Sequence, residues 1–284
     1  MKVTEMLKKK GFVVTAEIDP PLEPSLGKIT DDAKKLCGKV DALNISERKT
    51  LRMNSILTAA YLKERAKIET IFHLTCRDWT RRGAFGLLLS AWAMGLKNTL
   101  VVYGDSDETD NIYDFKSSFS LIKFVKSMNE GIYEKEKRIG HTDFCIGAGV
   151  NPCANQNDEM DKLLKSVDSG VSFIQTQPVY YPDRFIGFLD KVNEQGLKLP
   201  ILAGIMPLKS EKSSAFLEAK LGVPVREDIK KRMKGKDQSE GMAIASEIIE
   251  ELREEADGIH IYPMGNVNAI SSLASLAKKM PVEN

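Results

Sequence analysis

The chain has 284 residues, with 41 Lys and Arg against 40 Asp and Glu, so its formal net charge is +1. Hydrophobic residues make up 42% of it, which is enough apolar material for a core and excludes disorder as the main state. The balanced charge argues against a protein that grips nucleic acid or an anionic membrane through its overall field.

Short apolar runs alternate with longer amphipathic stretches along the whole chain. The predicted strands are 12–18, 42–46, 69–74, 98–103, 143–149, 172–176, 200–205 and 258–262. The predicted helices are 28–37, 54–67, 83–96, 115–129, 158–169 and 182–195, then about three helices within 210–257, and a last helix over 267–279. The charge-rich segment 226–241 is expected to be a solvated helical insertion on the rim.

Eight strands, each followed by a helix, predict an α/β protein with a single (β/α)8 TIM barrel over residues 1–284. The rival is a doubly wound open sheet, which usually has a Gly-rich turn after its first strand. Here that strand ends in Glu17-Ile18-Asp19-Pro20-Pro21. The sequence therefore favours the barrel.

The four cysteines are too few and too scattered for a disulfide framework and indicate reduced thiols. The longest mostly apolar stretch, 83–96, is shorter than the roughly 20 residues that a membrane span needs. The Lys-rich first residues lack the apolar run of a secretory signal. We therefore expect a cytoplasmic protein.

Residues at the carboxyl ends of the strands face the mouth of such a barrel. Acids, amides, hydroxyls and imidazoles are predicted there. His73 and Cys76 are a candidate metal pair, but zinc needs three or four convergent ligands, and CxxC and HExxH motifs are absent, so no metal is predicted. A polar mouth without a metal or a nucleophile motif suits an organic cofactor.

Several strand-end motifs occur in an order that resembles the methylenetetrahydrofolate reductase family, flavin-dependent barrels of one-carbon metabolism. The matching pieces are Glu17 with Pro20-Pro21, Asp41 to Ser46, His73 to Asp78, Gly95 with Asn98 to Leu100, Gly104-Asp105, Gly147-Ala148 with Asn151-Pro152, Asp168 to Gly170, Thr176-Gln177, and Ala203 to Pro207. The resemblance implies reduction of 5,10-methylenetetrahydrofolate to 5-methyltetrahydrofolate, with FAD as the cofactor and NADH or NADPH as the electron source.

The resemblance also assigns catalytic roles to individual residues. Glu17 matches the family's acid, which protonates the departing ring nitrogen of the folate, and burial would raise the pKa of such a carboxyl suitably. Asp105 matches the family's Asp beside the flavin and pterin rings. Gln177 matches an amide that contacts the pterin and can both donate and accept hydrogen bonds. Each has a plainer interpretation, as a surface acid, a turn residue or a satisfied polar group.

For the flavin, the resemblance implies a set of binding residues around the mouth. They are Ser46, His73, Tyr103, Gly104, Asp105, Asn151, Glu159 and Lys165. Lys165 is expected to meet a phosphate or a ribityl group, although helical surface lysines are commonly only solvated.

Some residues depart from the family pattern. Tyr103 stands where some members have Arg, and Leu208 to Glu211 lack the Phe that stacks on folate in some members. These departures leave three alternatives open. The barrel could receive electrons from a partner protein, could bind folate without catalysis, or could be a sugar-phosphate barrel using Met264-Gly265-Asn266 as a thin phosphate pocket. A homo-oligomer or a complex with a partner subunit is also expected.

Overall fold

Eight parallel strands form a closed barrel in the computed structural model, which describes residues 1–47, 50–104, 113–133, 136–137, 140–262 and 265–279. The strands pair in chain order, and the last pairs with the first. They are β1 (Val13–Ile18), β2 (Ala42–Ile45), β3 (Glu69–Thr75), β4 (Asn98–Val102), β5 (Cys145–Val150), β6 (Phe173–Pro178), β7 (Ile201–Ile205) and β8 (Gly258–Ile261). The predicted (β/α)8 barrel is confirmed, and the open sheet is wrong because β8 closes onto β1.

Helices separate successive strands and cover the outside of the barrel. They are α1 (Val3–Lys10), α2 (Gly27–Leu36), α3 (Ser55–Ala66), α4 (Arg81–Ala93), α5 (Ser118–Asn129), α6 (Gln156–Ser169), α7 (Pro182–Glu194), α8 (Glu211–Leu221), α9 (Glu227–Arg232), α10 (Gln238–Leu252) and α11 (Val267–Lys279). The three helices predicted between β7 and β8 are confirmed. Two elements were not predicted from the sequence: the helix α1 and a short hairpin that pairs Ile132–Tyr133 with Glu136–Lys137.

The predicted helix over 83–96 is shifted along the chain, for local chemical reasons. Thr80 accepts a hydrogen bond from the backbone N–H of Gly83, which caps an earlier start at Arg81. Gly95 takes a φ of 83°, the left-handed conformation that glycine adopts most readily, and so the helix stops before the predicted end.

The lower half of the barrel interior is apolar. A buried cluster combines one inward-facing residue from each of seven strands with the inner face of α1, which seals the amino-terminal end of the barrel. Its members are Val3, Met6, Leu7, Val13, Ala42, Ile71, Leu100, Cys145, Phe173 and Leu202. Polar groups inside the barrel therefore lie above this layer, toward the mouth.

Two buried polar side chains attach α1 to the barrel. The side chain of Asn98 accepts a hydrogen bond from the backbone N–H of Val3 at 2.8 Å and donates to the carbonyl of Met1 at 3.0 Å. The carboxylate of Asp41 accepts from the backbone N–H of Val14 at 2.8 Å and pairs with two lysines. These are Lys10 on α1 and Lys278 on α11. Asn98 thus holds α1 against β4, and Asp41 holds both α1 and α11 against the barrel.

The charge-rich segment 226–241 lies mostly on the surface, as α9 and the start of α10. Arg232 pairs there with Glu240 at 2.7 Å and with Glu247. The expectation of a solvated helical insertion is confirmed. In the described part of the chain, no helix is long and apolar enough to cross a membrane.

A glycine and a phenylalanine fill adjacent positions inside the barrel. Gly147 on β5 pairs in register with Phe173 on β6, and a Cβ at Gly147 would lie 2.4 Å from Cζ of that ring. The ring therefore occupies the space that any side chain at Gly147 would need.

We expect Gly147→Ala to lower the free energy of unfolding by about 1–3 kcal/mol, because the added methyl group overpacks the barrel interior. Gly149→Ala, two residues along the same strand, is the matched control, since its nearest neighbour would be 3.8 Å away. Urea unfolding followed by circular dichroism measures both. Equal loss in the two variants would contradict this packing argument, and Phe173→Leu should partly restore Gly147→Ala.

Candidate active site

Six polar side chains fill the barrel interior directly above the apolar layer. Because alternate residues of a strand point to the same side, each lies two or four residues beyond a lower interior position. The six residues are Thr15 and Glu17 on β1, Asn44 on β2, His73 on β3, Gln175 on β6 and His260 on β8, and all are buried. Buried polar groups of this kind require hydrogen-bond partners, and here they supply them to one another.

Glu17 is the acid at the centre of this group, and only 4% of its surface is exposed. Its Oε2 lies 3.6 Å from Nε2 of His260 and 3.9 Å from Nε2 of His73. The carboxyl group therefore sits between two imidazoles at the carboxyl end of β1. An acid at this position can exchange a proton with a ligand held in the mouth.

The two histidines have different second partners. Nδ1 of His260 lies 2.9 Å from the hydroxyl oxygen of Thr15. Nε2 of His73 accepts a hydrogen bond from the side-chain amide of Asn44 at 3.1 Å. This is the same nitrogen that faces Glu17, so it acts as an acceptor. The imidazole of His260, by contrast, has its Nε2 directed at the carboxyl group.

A pair of amides crosses the barrel and joins the two imidazole systems. Asn44 donates to Oε1 of Gln175 at 2.7 Å, and Gln175 donates back to Oδ1 of Asn44 at 3.3 Å. Gln175 also donates to the hydroxyl of Thr15 at 3.2 Å. This network fixes the orientation of the polar layer on which a ligand would rest.

The structure brings most of the predicted site residues to neighbouring strand ends. Ser46 is buried and donates to Oδ1 of Asp19 at 2.5 Å. Gly104 follows β4 with a φ of 84°, and a Cβ there would lie 3.3 Å from Cβ of Thr75. Gln177 is half-buried at the end of β6. Glu17, Ser46, His73, Gly104 and Gln177 therefore all face the mouth.

Tyr103 stands immediately before Gly104 and is exposed. The phenol of Tyr113 raises the pKa of Tyr103, mainly through the charge interaction between the two phenols and secondly through their hydrogen bond. Asp105, predicted as a catalytic and flavin-binding residue, lies outside the described residues, as does Met264 of the thin phosphate pocket.

Asn151 and Glu159 form a local unit after β5. The carboxylate of Glu159, buried in the first turns of α6, accepts from the backbone N–H of Asn151 at 2.8 Å. The side-chain amide of Asn151 donates to the carbonyl of Gly222 at 3.0 Å, so the mouth at β5 contacts the loop after α8. Oδ1 of Asn151 is buried without a hydrogen-bond partner.

Lys165 is exposed on α6, ten residues after the cap of that helix at Asn155. Because each helical residue advances the chain by about 1.5 Å and α6 runs away from the mouth, Lys165 lies roughly 15 Å along the helix. The structure does not bring it to the group of strand-end residues, and its role toward a cofactor stays a prediction.

Four residues of the polar layer were not selected as site residues from the sequence. These are Thr15, Asn44, Gln175 and His260. A signal was present for three of them, because each lies two residues before a selected strand-end residue: Thr15 before Glu17, Asn44 before Ser46, and Gln175 before Gln177. Among the described residues, no group of three or more His, Cys, Asp or Glu side chains could hold a metal ion.

Cys76 follows β3 at the mouth, but its thiol is expected to be unreactive at neutral pH. Burial raises the pKa of Cys76 to about 12, and its Sγ lies 3.7 Å from the carbonyl of Val102. Burial likewise raises the pKa of Cys153 to about 11 and raises that of Cys145. Cys37 alone among the four free cysteines is exposed.

At pH 8 we expect Ellman's reagent to titrate one thiol per native chain, because the three buried thiols stay protonated below their raised pKa values and thiolate is the reactive form. All four should react in guanidinium chloride. Cys37→Ser is the matched control and should abolish the native reaction. A fast-reacting thiol that remains in Cys37→Ser would contradict the burial assigned to Cys76, Cys145 and Cys153.

Fold and site together define a (β/α)8 barrel whose mouth holds a buried acid between two imidazoles, a site suited to acid–base work on a bound organic molecule. Residues 2–278 match the model of the methylenetetrahydrofolate reductase family. The chain belongs to that family.

Individual relatives are consistent with this membership. Methylenetetrahydrofolate reductase 1 of Schizosaccharomyces pombe is 31% identical over 153 residues, which are 51% of this chain and 24% of that protein. The 5,10-methylenetetrahydrofolate reductase of Pectobacterium carotovorum is 23% identical over 201 residues, 70% of this chain and 62% of that protein. The matched segments thus span less than two thirds of these relatives.

A solved structure has the same fold over its whole length. It is an uncharacterized protein from Clostridium thermocellum that binds two copies of 5-methyl-5,6,7,8-tetrahydrofolic acid. The TM-score is 0.72 at 19% identity, with 98% of this chain and 99% of that chain covered. At this identity the likeness shows a shared fold.

Proposed function

We propose that this chain reduces 5,10-methylenetetrahydrofolate to 5-methyltetrahydrofolate, with a flavin as cofactor and Glu17 as the proton donor. The observation that carries the proposal is the buried carboxyl group of Glu17 at the mouth, between His73 and His260, in a chain of this family. An exposed acid at the same strand end would not support this role.

The residues after β2 to β5 fit a bound flavin. Ser46 offers a hydroxyl, and the backbone at Gly104 is free of a Cβ that would fill the approach beside Thr75. The unpartnered Oδ1 of Asn151 is a buried acceptor suited to a hydroxyl group of the cofactor. When bound, the flavin would supply the hydride that reduces the methylene carbon. FAD is the form that we propose.

The role of Glu17 follows from the chemistry of the substrate. The five-membered ring must open before the methylene carbon can accept a hydride, and opening breaks the bond from this carbon to one ring nitrogen. The proton of Glu17 goes to that nitrogen, which leaves an iminium cation on the folate and a carboxylate on Glu17. Gln177, at the end of β6, would hold the pterin edge through its amide.

Glu17→Gln should reduce the rate of the folate half-reaction by about 10²–10⁴-fold, because it removes the transferable proton and keeps the size of the side chain. Single-turnover mixing of the reduced enzyme with methylenetetrahydrofolate measures this rate. Glu23→Gln, an exposed acid in the loop after β1, is the control and should behave as wild type. Unchanged turnover in Glu17→Gln would refute the acid role. A wild type that binds folate but never turns it over would instead favour a non-catalytic binding protein.

The electron source is the second part of the proposal. NADH or NADPH, which appear in the names of several relatives, would reduce the flavin at the same mouth. Anaerobic stopped-flow mixing of the FAD-loaded protein with each nucleotide is expected to bleach the flavin absorbance within seconds. A flavin that both nucleotides leave oxidised, but that dithionite reduces, would favour a protein electron donor.

A further inference from the structure

We propose that Thr15 and His260 form a hydrogen-bond relay that stabilises Glu17 in both its ionised and its protonated form, which makes His260 a positioning residue for the proton transfer. The relay deepens the proposed function and rests on it for its catalytic meaning. Its structural content, a histidine whose tautomer follows the protonation of Glu17, can be measured without any cofactor.

The first arrangement serves ionised Glu17. The hydroxyl of Thr15 donates to Nδ1 of His260, across 2.9 Å, which leaves the imidazole proton on Nε2. That N–H then faces Oε2 of Glu17 at 3.6 Å, and a closer approach by about 0.7 Å makes it a charge-assisted hydrogen bond. A neutral imidazole in this tautomer therefore stabilises the carboxylate.

The second arrangement serves protonated Glu17. The hydroxyl of Thr15 has another acceptor, the carbonyl of Ile259 at 3.4 Å. When the hydroxyl turns to it, Nδ1 of His260 donates to the oxygen of Thr15, and Nε2 becomes an acceptor for the carboxyl proton of Glu17. Going from the first arrangement to the second removes a proton from Nε2 and adds one at Nδ1, so the charge of the imidazole does not change and the one added proton is on the carboxyl group of Glu17.

His73 cannot take the same part in the orientation that the structure gives to Asn44. Its Nε2 already accepts from that amide at 3.1 Å, so the proton of a neutral His73 is on Nδ1. The amide is in turn held by Gln175 through two hydrogen bonds, which oppose a reorientation. The second nitrogen of His260, by contrast, lies on the hydroxyl of Thr15, a group able both to donate and to accept.

The surroundings of His260 exclude water from the relay and fix the orientation of the imidazole. The imidazole is 1% exposed, and the ring of Tyr262 packs edge-on against it, with centroids 4.7 Å apart. The hydroxyl of Tyr262 donates to the carbonyl of Thr176 at 2.9 Å, which fixes this ring. Among the described residues, the titratable groups placed against the Glu17–His260 pair are His73 on β3 and Tyr262 after β8.

The test is a pH titration of the protein with ¹⁵N-labelled histidine, followed by long-range ¹H–¹⁵N spectra that report which ring nitrogen carries the proton. The chain has three histidines, and the exposed His141 serves as an internal reference. The signal lost in His260→Gln identifies His260. We expect the neutral His260 to carry its proton on Nε2 at high pH and on Nδ1 once Glu17 is protonated, while neutral His73 keeps Nδ1–H.

Three further variants make the result specific to the relay. Thr15→Val keeps the shape of the side chain but removes the hydroxyl, and should hold His260 in one tautomer. Thr15→Ser restores a hydroxyl and should restore the exchange. Glu17→Gln removes the titrating acid and should abolish the pH dependence. A His260 that keeps one tautomer throughout the titration of the wild type, or an exchange that persists in Thr15→Val, overturns the relay.

Single-turnover kinetics then connect the relay to the reaction. Thr15→Val and His260→Gln should lower the rate of the folate half-reaction roughly tenfold and displace its pH profile, a smaller loss than removal of the acid itself. Thr15→Ser should recover the wild-type profile. Loss of folate turnover in the wild type refutes the proposed function while the spectra still report on the relay. Normal profiles in Thr15→Val and His260→Gln refute the relay alone.

Discussion

A carboxyl group inside a closed barrel can be kept only if polar partners surround it, and this requirement organises the upper half of the molecule. A charged group removed from water without partners costs far more than one hydrogen bond returns. Glu17 is therefore accompanied by two imidazoles, and each imidazole needs its own partner: Thr15 for one and Asn44 for the other. The amide of Gln175 closes the network between them.

The apolar layer beneath this network is as necessary as the network itself. With α1 across the amino-terminal end, the interior is closed to water from below, and the polar groups are open only toward the mouth. The low polarity beneath strengthens the electrostatic interactions above it. Four strands, β1, β2, β3 and β6, thus contribute to both the apolar lower layer and the polar upper one, by a change of residue type two positions further along the strand.

The eight strands and the helices between them were predictable because their signals are local. Apolar runs such as 201–205, bounded by turn residues, predict a buried strand from the sequence alone. The helical role of α1 was not predictable, because its Lys-rich sequence resembles a solvated segment and its partner, Asn98, is almost a hundred residues away.

The candidate site likewise contains some residues that the sequence indicates and others that it does not. Glu17, His73 and Gln177 lie near the carboxyl ends of their strands and belong to motifs that resemble the family's, so the sequence indicates them. Thr15 and His260 come together only because β1 pairs with β8, and these two strands are far apart in the sequence. Asn151 contacts Gly222 for a similarly nonlocal reason, because the loop after α8 folds back over the end of β5.

The seam between β1 and β8 also sets the order in which the protein can be completed. Val13 to Ala16 of β1 pair with Gly258 to Ile261 of β8, so one edge of β1 stays uncovered until the ribosome has made β8. Until then β1 presents unpaired backbone groups, which can form hydrogen bonds with another chain or with the wrong strand. The contact of Asp41 with Lys278 on α11 likewise can form only after that helix has been made. The open edge of β1 can therefore pair wrongly until β8 has been made and covers it.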